Sequence, residues 1–230
     1  VPSRNPEDKP VTGWGEMLHT LAQGDAVCCA AHRADCPFPQ EMRYELPGLV
    51  IDNCAMAGRS SKNFREEGRL DDIAAHIRPG DLLVVSFGHN DANCAKAERY
   101  VPADAFGESL RPFWDAARSH GAVCIFASPV AMREFDEDSV CHPSFAAYRE
   151  AMRAFAAEVG APFIDLGAAT AAANTAFGAE RCKARYMWVG AKQDNAHQQN
   201  AGACRTAQAF VQQLLQDTTP ALDVLRANFK

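Results

Sequence analysis

A short apolar run that ends in one glycine and three polar residues constrains the fold of this chain most. Residues 82–85 read Leu-Leu-Val-Val after Pro79 and Gly80, and residues 87–91 read Phe-Gly-His-Asn-Asp. A continuous apolar run of this length is typical of a parallel strand that is buried on both faces. Ligands of open α/β sheets bind outside the carboxyl ends of such strands. The stretch therefore predicts a functional site at residues 88–91, although an ordinary polar turn would follow a strand in the same way.

Strand and helix patterns alternate along most of the chain. Short apolar runs predict strands at residues 49–52, 81–86, 123–128 and 162–165. Helical spacing of apolar residues predicts helices from Trp14, through 64–77, and over 103–120, 144–159, 166–177 and 200–215. This alternation predicts an α/β fold with a parallel sheet covered on both faces. Since there is no internal repeat, we expect a single domain over residues 1–230.

Composition and charge indicate which kinds of partner the protein does not bind. The 230 residues are 47% hydrophobic with a net charge of -6, and no cluster of Lys or Arg suits a nucleic acid. No apolar stretch is long enough to span a bilayer, and no signal sequence begins the chain as given. We therefore expect neither nucleic-acid nor membrane partners, and oligomeric state is not predicted.

Cysteine usage bears on compartment and on metal binding. Nine cysteines are scattered singly or as one adjacent pair, which favours reduced thiols and a cytoplasmic protein. Residues Cys28, Cys29, His32 and Cys36 are close in sequence, but the second paired half of a typical zinc site is missing. We therefore expect no metal and no cofactor.

Two further polar segments carry candidate chemistry. Residues 53–61, Asn-Cys-Ala-Met-Ala-Gly-Arg-Ser-Ser, follow a predicted strand and precede a predicted helix, so their backbone amides could hold negative charge. An ordinary helix N-cap at Ser60 or Ser61 explains the segment equally well. Asp194 stands three residues before His197, so in a loop its carboxylate can bind imidazole Nδ1 and leave Nε2 free to take a proton. A polar cap before the last helix is the alternative.

Four motifs in order resemble one family. They are residues 13–18 (Gly-Trp-Gly-Glu-Met-Leu), 53–61, 87–91 and 194–197. Together they resemble the GDSL-type, or SGNH, hydrolases, and within them the rhamnogalacturonan acetylesterase-like branch. The resemblance implies a flavodoxin-like three-layer α/β/α sandwich and a serine esterase without a metal cofactor. It implies a small-molecule or oligosaccharide ester as substrate, with acetyl groups of pectin, rhamnogalacturonan-type or related sugars removed.

The resemblance also assigns roles to residues. It makes His197 the general base and Asp194 the carboxylate that orients it. It makes the Gly58 N–H and the Asn90 side-chain amide two donors to the oxyanion. Gly88, His89 and Asp91 support this site, and we expect His89 and Asp91 to shape the turn rather than to react.

The nucleophile is the main departure from the family pattern. The resemblance places a serine in a Gly-Asp-Ser motif at the end of the first strand, shortly before residue 13, and residues 1–12 contain no such motif. We expect the first strand and this serine to lie upstream of Val1. Ser3 lacks a preceding strand to aim it, and we expect Ser60 and Ser61 to point into their own helix cap.

Other classes of protein stay open. A carbohydrate-binding or structural relative without the nucleophile would retain the same pocket. A nucleotide-binding protein of doubly wound fold would need a glycine-rich phosphate loop, which this sequence lacks. The coding sequence upstream of Val1 separates the serine esterase from the non-catalytic relative, because only the esterase needs a strand that ends in Gly-Asp-Ser there. A signal peptide encoded in the same place would make the protein secreted.

Overall fold

The computed structural model describes residues 10–22, 29–33, 35–38 and 41–229, with Cys29 and Val224 described by their backbone alone. The chain divides into two compact units. The first unit contains residues 1–57, 130–143 and 168–230, and the second contains residues 58–129 and 144–167. The prediction of one domain over residues 1–230 stays a prediction.

The elements are numbered along the described chain. The strands are β1 (Cys29–Ala31), β2 (Met42–Leu46), β3 (Leu49–Asn53), β4 (Leu82–Val85), β5 (Val123–Ala127), β6 (Phe163–Ile164), β7 (Tyr186–Val189) and β8 (Lys192–Gln198). The helices are α1 (Trp14–Met17), α2 (Ser61–Glu66), α3 (Arg69–His76), α4 (Ala103–Ser119), α5 (Ala146–Val159), α6 (Leu166–Phe177), α7 (Asn200–Gln216) and α8 (Asp223–Asn228). Short 3₁₀ turns cover Leu18–Leu21, Arg181–Arg185 and Pro220–Leu222.

The second unit is built on a parallel sheet of order β4-β5-β6. Leu82 pairs with Val123, and Phe126 pairs with Phe163. The strand predicted at residues 81–86 is therefore confirmed as a parallel strand. Its carboxyl end leads directly into residues 87–91.

Helices α4 and α5 supply the core of the second unit. Phe106, Leu110 and Phe113 recur at helical spacing on α4 and are at most 2% exposed. Phe106 packs on Tyr148 of α5 with ring centroids 5.1 Å apart, and Phe126 of β5 packs on Phe155 of α5 at 5.5 Å. Full burial of such a side chain contributes about 1.5–3 kcal/mol, so this helix pair fixes the sheet from which the site emerges.

The first unit contains antiparallel sheets. Strands β1, β2 and β3 form a meander in which Leu46 pairs with Leu49 across the turn at residues 47 and 48. The sequence prediction that residues 49–52 form a strand is right, but the expected place of that strand in the parallel sheet is wrong. A tight turn with Gly48 at φ +79° returns the chain immediately, and such a short connection can join only antiparallel strands.

Helix α7 forms the core of the first unit. Its buried face includes Ala203, Ala207, Phe210 and Leu214, and the Trp14 ring of α1 lies 5.0 Å from the Phe210 ring. The motif that begins at residue 13 is thus packing scaffold, as its apolar spacing predicts.

Two general features of the described residues bear on the predictions. None of the helices placed there combines the length and apolar character that a membrane span requires. The seven cysteines whose side chains can be assessed are free thiols: Cys36, Cys54, Cys94, Cys124, Cys141, Cys182 and Cys204.

Candidate active site

The loop at residues 58–61 opens the first candidate cluster, which lies wholly in the second unit. Gly58 has φ +75°, a conformation that favours glycine. Its carbonyl accepts a hydrogen bond from Arg99 Nη1 at 3.1 Å. Its N–H donates to no acceptor among the described residues, so it is available to a ligand.

The side-chain amide of Asn90 lies beside this loop. Its Nδ2 donates to the Arg59 carbonyl at 3.2 Å, and its Oδ1 accepts from Arg99 Nη1 at 2.7 Å. An amide nitrogen carries two hydrogens, so one N–H of Asn90 is left for a ligand. The structure thus brings Gly58 and Asn90 into one hydrogen-bonded cluster, as the prediction of two neighbouring donors requires.

Asp91 ties the loop at residues 58–61 to the strand exit. Its carboxylate is fully buried and accepts hydrogen bonds from Ser61 N–H at 2.9 Å, Ser61 Oγ at 2.6 Å and Gly88 N–H at 2.9 Å. Burial raises the pKa of Asp91, although the hydrogen bonds from Ser61 and Gly88 oppose that effect. These contacts fit the expected role of Asp91 in shaping the turn.

Gly88 and His89 complete this turn. Gly88 has φ +128°, and a Cβ there would lie 2.4 Å from Pro129 Cγ, so no other residue fits without displacement. The His89 ring packs edge-on against Phe145 with centroids 4.8 Å apart. This contact fits a supporting role for His89.

The two serines after Gly58 behave differently. Ser60 is the N-cap of α2, and its hydroxyl accepts from the Asn63 N–H. The prediction of a helix cap is therefore confirmed for Ser60 but wrong for Ser61, whose hydroxyl binds the buried Asp91 carboxylate. The reason is tertiary, since Asp91 comes from a different strand exit. The third candidate serine, Ser3, lies outside the described residues.

The second cluster lies in the first unit, on the β7-β8 hairpin. His197 Nδ1 donates to Asp194 Oδ2 at 2.7 Å, so the predicted hydrogen bond is present. The His197 side chain is 61% exposed and that of Asp194 is 19% exposed. His197 Nε2 makes no hydrogen bond to any residue that the structure describes, and a proton on Nδ1 leaves its lone pair free.

The position of the pair differs from the loop that the sequence predicts. Asp194 and His197 belong to strand β8, in which Met187 pairs with Asp194 while Tyr186 pairs with Gln198. Residues 195–197 therefore bulge out of the ladder, because three residues of β8 face no counterpart in β7. Asp194 Oδ1 stabilises this bulge by accepting from the Ala196 N–H at 2.8 Å and the His197 N–H at 2.9 Å.

The electrostatics favour an ionised Asp194. Burial alone would raise the pKa of this carboxyl group, but the backbone N–H groups of His197 and Ala196 and the His197 imidazole together lower it below its ordinary value. Lys192 Nζ lies 3.7 Å from Asp194 Oδ2 as a further positive neighbour. An ionised carboxylate on Nδ1 holds the imidazole and stabilises its protonated form.

Sequence reasoning missed an arginine that holds the bulge. Arg133 N–H donates to the Asn195 carbonyl at 2.8 Å, and Arg133 Nη1 donates to Asn195 Oδ1 at 3.2 Å. Its Nε and Nη2 both donate to the Ala179 carbonyl. Trp188 Nε1 also donates to Asn195 Oδ1, at 2.8 Å. The sequence marks Arg133 only as one residue of a polar stretch, residues 129–143, that follows the strand predicted at 123–128.

The suggested cysteine metal site is not tested. Cys28 lies outside the described residues, and only the backbone of Cys29 is described. His32 Nδ1 instead hydrogen bonds the Glu41 carbonyl at 2.8 Å, and Cys36 Sγ donates to the Glu41 carboxylate at 3.2 Å.

Comparison with known sequences identifies relatives over most of the chain. Residues 13–202 match the GDSL-like Lipase/Acylhydrolase family. Rhamnogalacturonan acetylesterase RhgT of Bacillus subtilis is 31% identical over 229 residues, which cover 96% of this chain and 88% of that protein. The probable rhamnogalacturonan acetylesterase YesY of the same organism is 38% identical over 156 residues, which cover 67% of this chain and 71% of that protein.

Solved structures agree on the fold. The crystal structure of YxiM from Bacillus subtilis superposes with a TM-score of 0.71 at 25% identity, over 94% of this chain and 53% of that chain. This chain thus spans about half the length of that solved relative. The acetylxylan esterase Axe2 from Geobacillus stearothermophilus has a TM-score of 0.52 at 19% identity, over 67% of each chain, and supports the fold alone.

These matches confirm the three-layer α/β/α fold of the SGNH hydrolases that the resemblance implied. A family match over residues 13–202 also covers every residue of both clusters. The chain therefore belongs to the GDSL-like lipase/acylhydrolase family, in the branch that includes its rhamnogalacturonan acetylesterase relatives.

Proposed function

We propose that this protein is a carbohydrate acetylesterase that removes acetyl groups from rhamnogalacturonan-type oligosaccharides. The observation that carries this proposal is the hydrogen bond between Asp194 and His197. It occurs in a chain of which 96% matches RhgT, a rhamnogalacturonan acetylesterase. One solved structure of similar fold is an acetylxylan esterase, although that likeness extends to the fold alone. Acetylated xylan is therefore the competing substrate to test.

In the proposed reaction, His197 acts as the general base. Its Nε2 takes the proton of a serine hydroxyl as the oxygen attacks the acetyl carbonyl, and Asp194 on Nδ1 stabilises the imidazolium that forms. The same imidazolium then gives the proton to the departing sugar oxygen. A water molecule, which gives its proton to His197 in turn, then attacks the acetyl-serine ester. Acetate leaves, and the serine oxygen regains its proton from His197.

The proposed oxyanion donors are the Gly58 N–H and the free N–H of Asn90. Both groups are left without an acceptor for at least one hydrogen among the described residues, as a donor to a ligand must be. The carbonyl oxygen gains negative charge only as the reaction proceeds, so fixed donors lower the barrier more than they strengthen substrate binding.

The experiment uses protein expressed from its complete open reading frame. Acetate release is measured on acetylated rhamnogalacturonan oligosaccharides, acetylated xylan oligosaccharides and p-nitrophenyl acetate. A serine-directed organophosphate probe, followed by peptide mapping, identifies the nucleophile. We expect preference for the rhamnogalacturonan substrate, and the opposite preference would overturn the substrate assignment.

The variant His197→Ala tests the base. We expect kcat to fall on the order of 10²- to 10⁴-fold with little change in KM, because the base acts on the barrier. His142→Ala is the matched control, since His142 Nε2 binds the Asp136 carboxylate at 2.6 Å in another exposed histidine–aspartate pair of the same unit. Equal activity of the two variants would remove His197 from the mechanism, and absence of hydrolysis in the intact protein would favour a non-catalytic relative.

A further inference from the structure

Arg99 binds both proposed oxyanion residues of the second unit. One nitrogen, Nη1, donates to the Asn90 Oδ1 at 2.7 Å and to the Gly58 carbonyl at 3.1 Å. That nitrogen carries two hydrogens, so each acceptor receives one. The side chain is 18% exposed, and its Nε lies 3.9 Å from an exposed Glu98 carboxylate.

These contacts fix which way the Asn90 amide faces. Arginine donates hydrogen bonds and accepts none, so the group that faces Nη1 has to be the amide oxygen. The group that faces the Arg59 carbonyl has to be the amide nitrogen, at 3.2 Å. A flipped amide would set donor against donor at Arg99 and acceptor against acceptor at Arg59.

The backbone holds Arg99 in this place. The Val101 N–H donates to the Asp91 carbonyl at 3.0 Å, and the buried Tyr148 hydroxyl donates to the Val101 carbonyl at 2.7 Å. The Arg99 N–H donates to the Lys96 carbonyl at 3.0 Å. The irregular segment that carries Arg99 is therefore fastened to the turn that carries Asn90.

We propose that Arg99 is a positioning residue that orients the Asn90 amide and the Gly58 backbone as oxyanion donors. The inference rests on the proposed oxyanion roles of those two residues. A guanidinium on Oδ1 also draws electron density from the amide, which makes its remaining N–H a stronger donor. Arg99 thus acts through Asn90 and Gly58 and does not touch the reacting ester.

A double-mutant cycle on kcat tests this coupling. Asn90→Ala, Arg99→Ala and the double variant are compared with the parent protein on p-nitrophenyl acetate. We expect Asn90→Ala to lower kcat about 10²- to 10³-fold and Arg99→Ala to lower it about 10- to 100-fold, with KM changed little. In the Asn90→Ala background, loss of Arg99 should lower kcat less than about threefold, because only its contact with the Gly58 carbonyl is left to lose.

Two further variants separate positioning from stability. Arg111→Ala is the matched control, since Arg111 is another ion-paired arginine of the same unit, bound to Glu108 and Glu158, and we expect unchanged kcat. Arg99→Lys enters the same cycle in case Arg99→Ala does not fold, and melting temperatures are measured for all variants. Lysine keeps a charge but not the fixed guanidinium plane, so we expect partial retention of kcat.

The outcomes are distinct. Coupling of the two losses, at unchanged melting temperature, supports the inference. Equal fold losses of kcat in both Asn90 backgrounds, or no loss on changing Arg99, would overturn it while the oxyanion role of Asn90 stands. An unchanged kcat in Asn90→Ala would overturn the oxyanion assignment and the inference with it, without bearing on His197.

Discussion

Asp91 offers the most quantitative test of how the second unit holds its candidate residues. The substitution Asp91→Ala removes a carboxylate that is 0% exposed and accepts three hydrogen bonds, two from Ser61 and one from Gly88. The Ser61 hydroxyl has a second partner, because its Oγ lies 2.8 Å from Ser109 Oγ. The Ser61 and Gly88 N–H groups then lose their acceptor.

The expected loss in the free energy of unfolding follows from these two N–H groups, which are left without an acceptor. Each buried donor without a partner costs about 1–3 kcal/mol, so the two together cost about 2–6 kcal/mol. Removing a carboxylate whose pKa is raised by burial offsets part of this cost, because its desolvation penalty disappears. We therefore expect the free energy of unfolding to fall by about 2–4 kcal/mol.

Urea unfolding, followed by circular dichroism, measures this change. The control is Asp81→Ala, in which an exposed carboxylate of the same unit loses one hydrogen bond from the Arg78 N–H at 2.8 Å; we expect a loss below about 1 kcal/mol. Folded Asp91→Ala should also show a lower kcat, since the Gly88 turn that carries Asn90 loses its anchor. A stability loss no larger than that of Asp81→Ala would refute the reasoning.

Two further predictions concern the hairpin of the first unit. The pKa of Asp194 is lowered below its ordinary value of 3.8, so its charge stabilises the fold above that pH and the contribution is lost as pH falls below it. Asp194→Asn should therefore lower the melting temperature at neutral pH and converge with the parent protein in acid; a pH-independent difference would contradict this. Arg133→Ala should lower both kcat and melting temperature, because Asn195 in the bulge beside His197 loses a donor. The control is Arg226→Ala, which should leave kcat unchanged. It removes a guanidinium that is bound to two backbone carbonyls near the C-terminus. Equal kcat in the two arginine variants would count against a role for Arg133.

Local patterns in the sequence predict the parts of the site whose contacts are short-range. The Asp194–His197 hydrogen bond joins residues only three positions apart, so a single turn of backbone brings them together. Ser60 caps α2 through Asn63, again three residues away. The apolar run at β4 and its glycine exit likewise depend only on neighbours in the chain.

The pattern of apolar residues does not predict strand direction. An apolar run indicates burial but not the direction of its partner, so β3 was expected in the parallel sheet and instead pairs antiparallel with β2. The polar stretch before α7 was expected to be a loop, since no alternation marks a strand there. It forms β8 because β7 supplies the hydrogen-bonding partner, and the bulge at residues 195–197 preserves the local Asp194–His197 contact.

Contacts between distant residues were decided only by the tertiary structure. Ser61 meets Asp91 across 30 positions, and Arg99 meets the Gly58 carbonyl across 41. The sequence places Asp91 in the turn but does not predict Ser61 as its partner, and it gives no signal for Arg99, because an arginine in a polar loop looks ordinary until the fold brings its acceptors to it. The sequence alone determined which residue types could perform the chemistry, whereas packing determined which of their hydrogen-bonding groups are occupied and which are left free for a substrate.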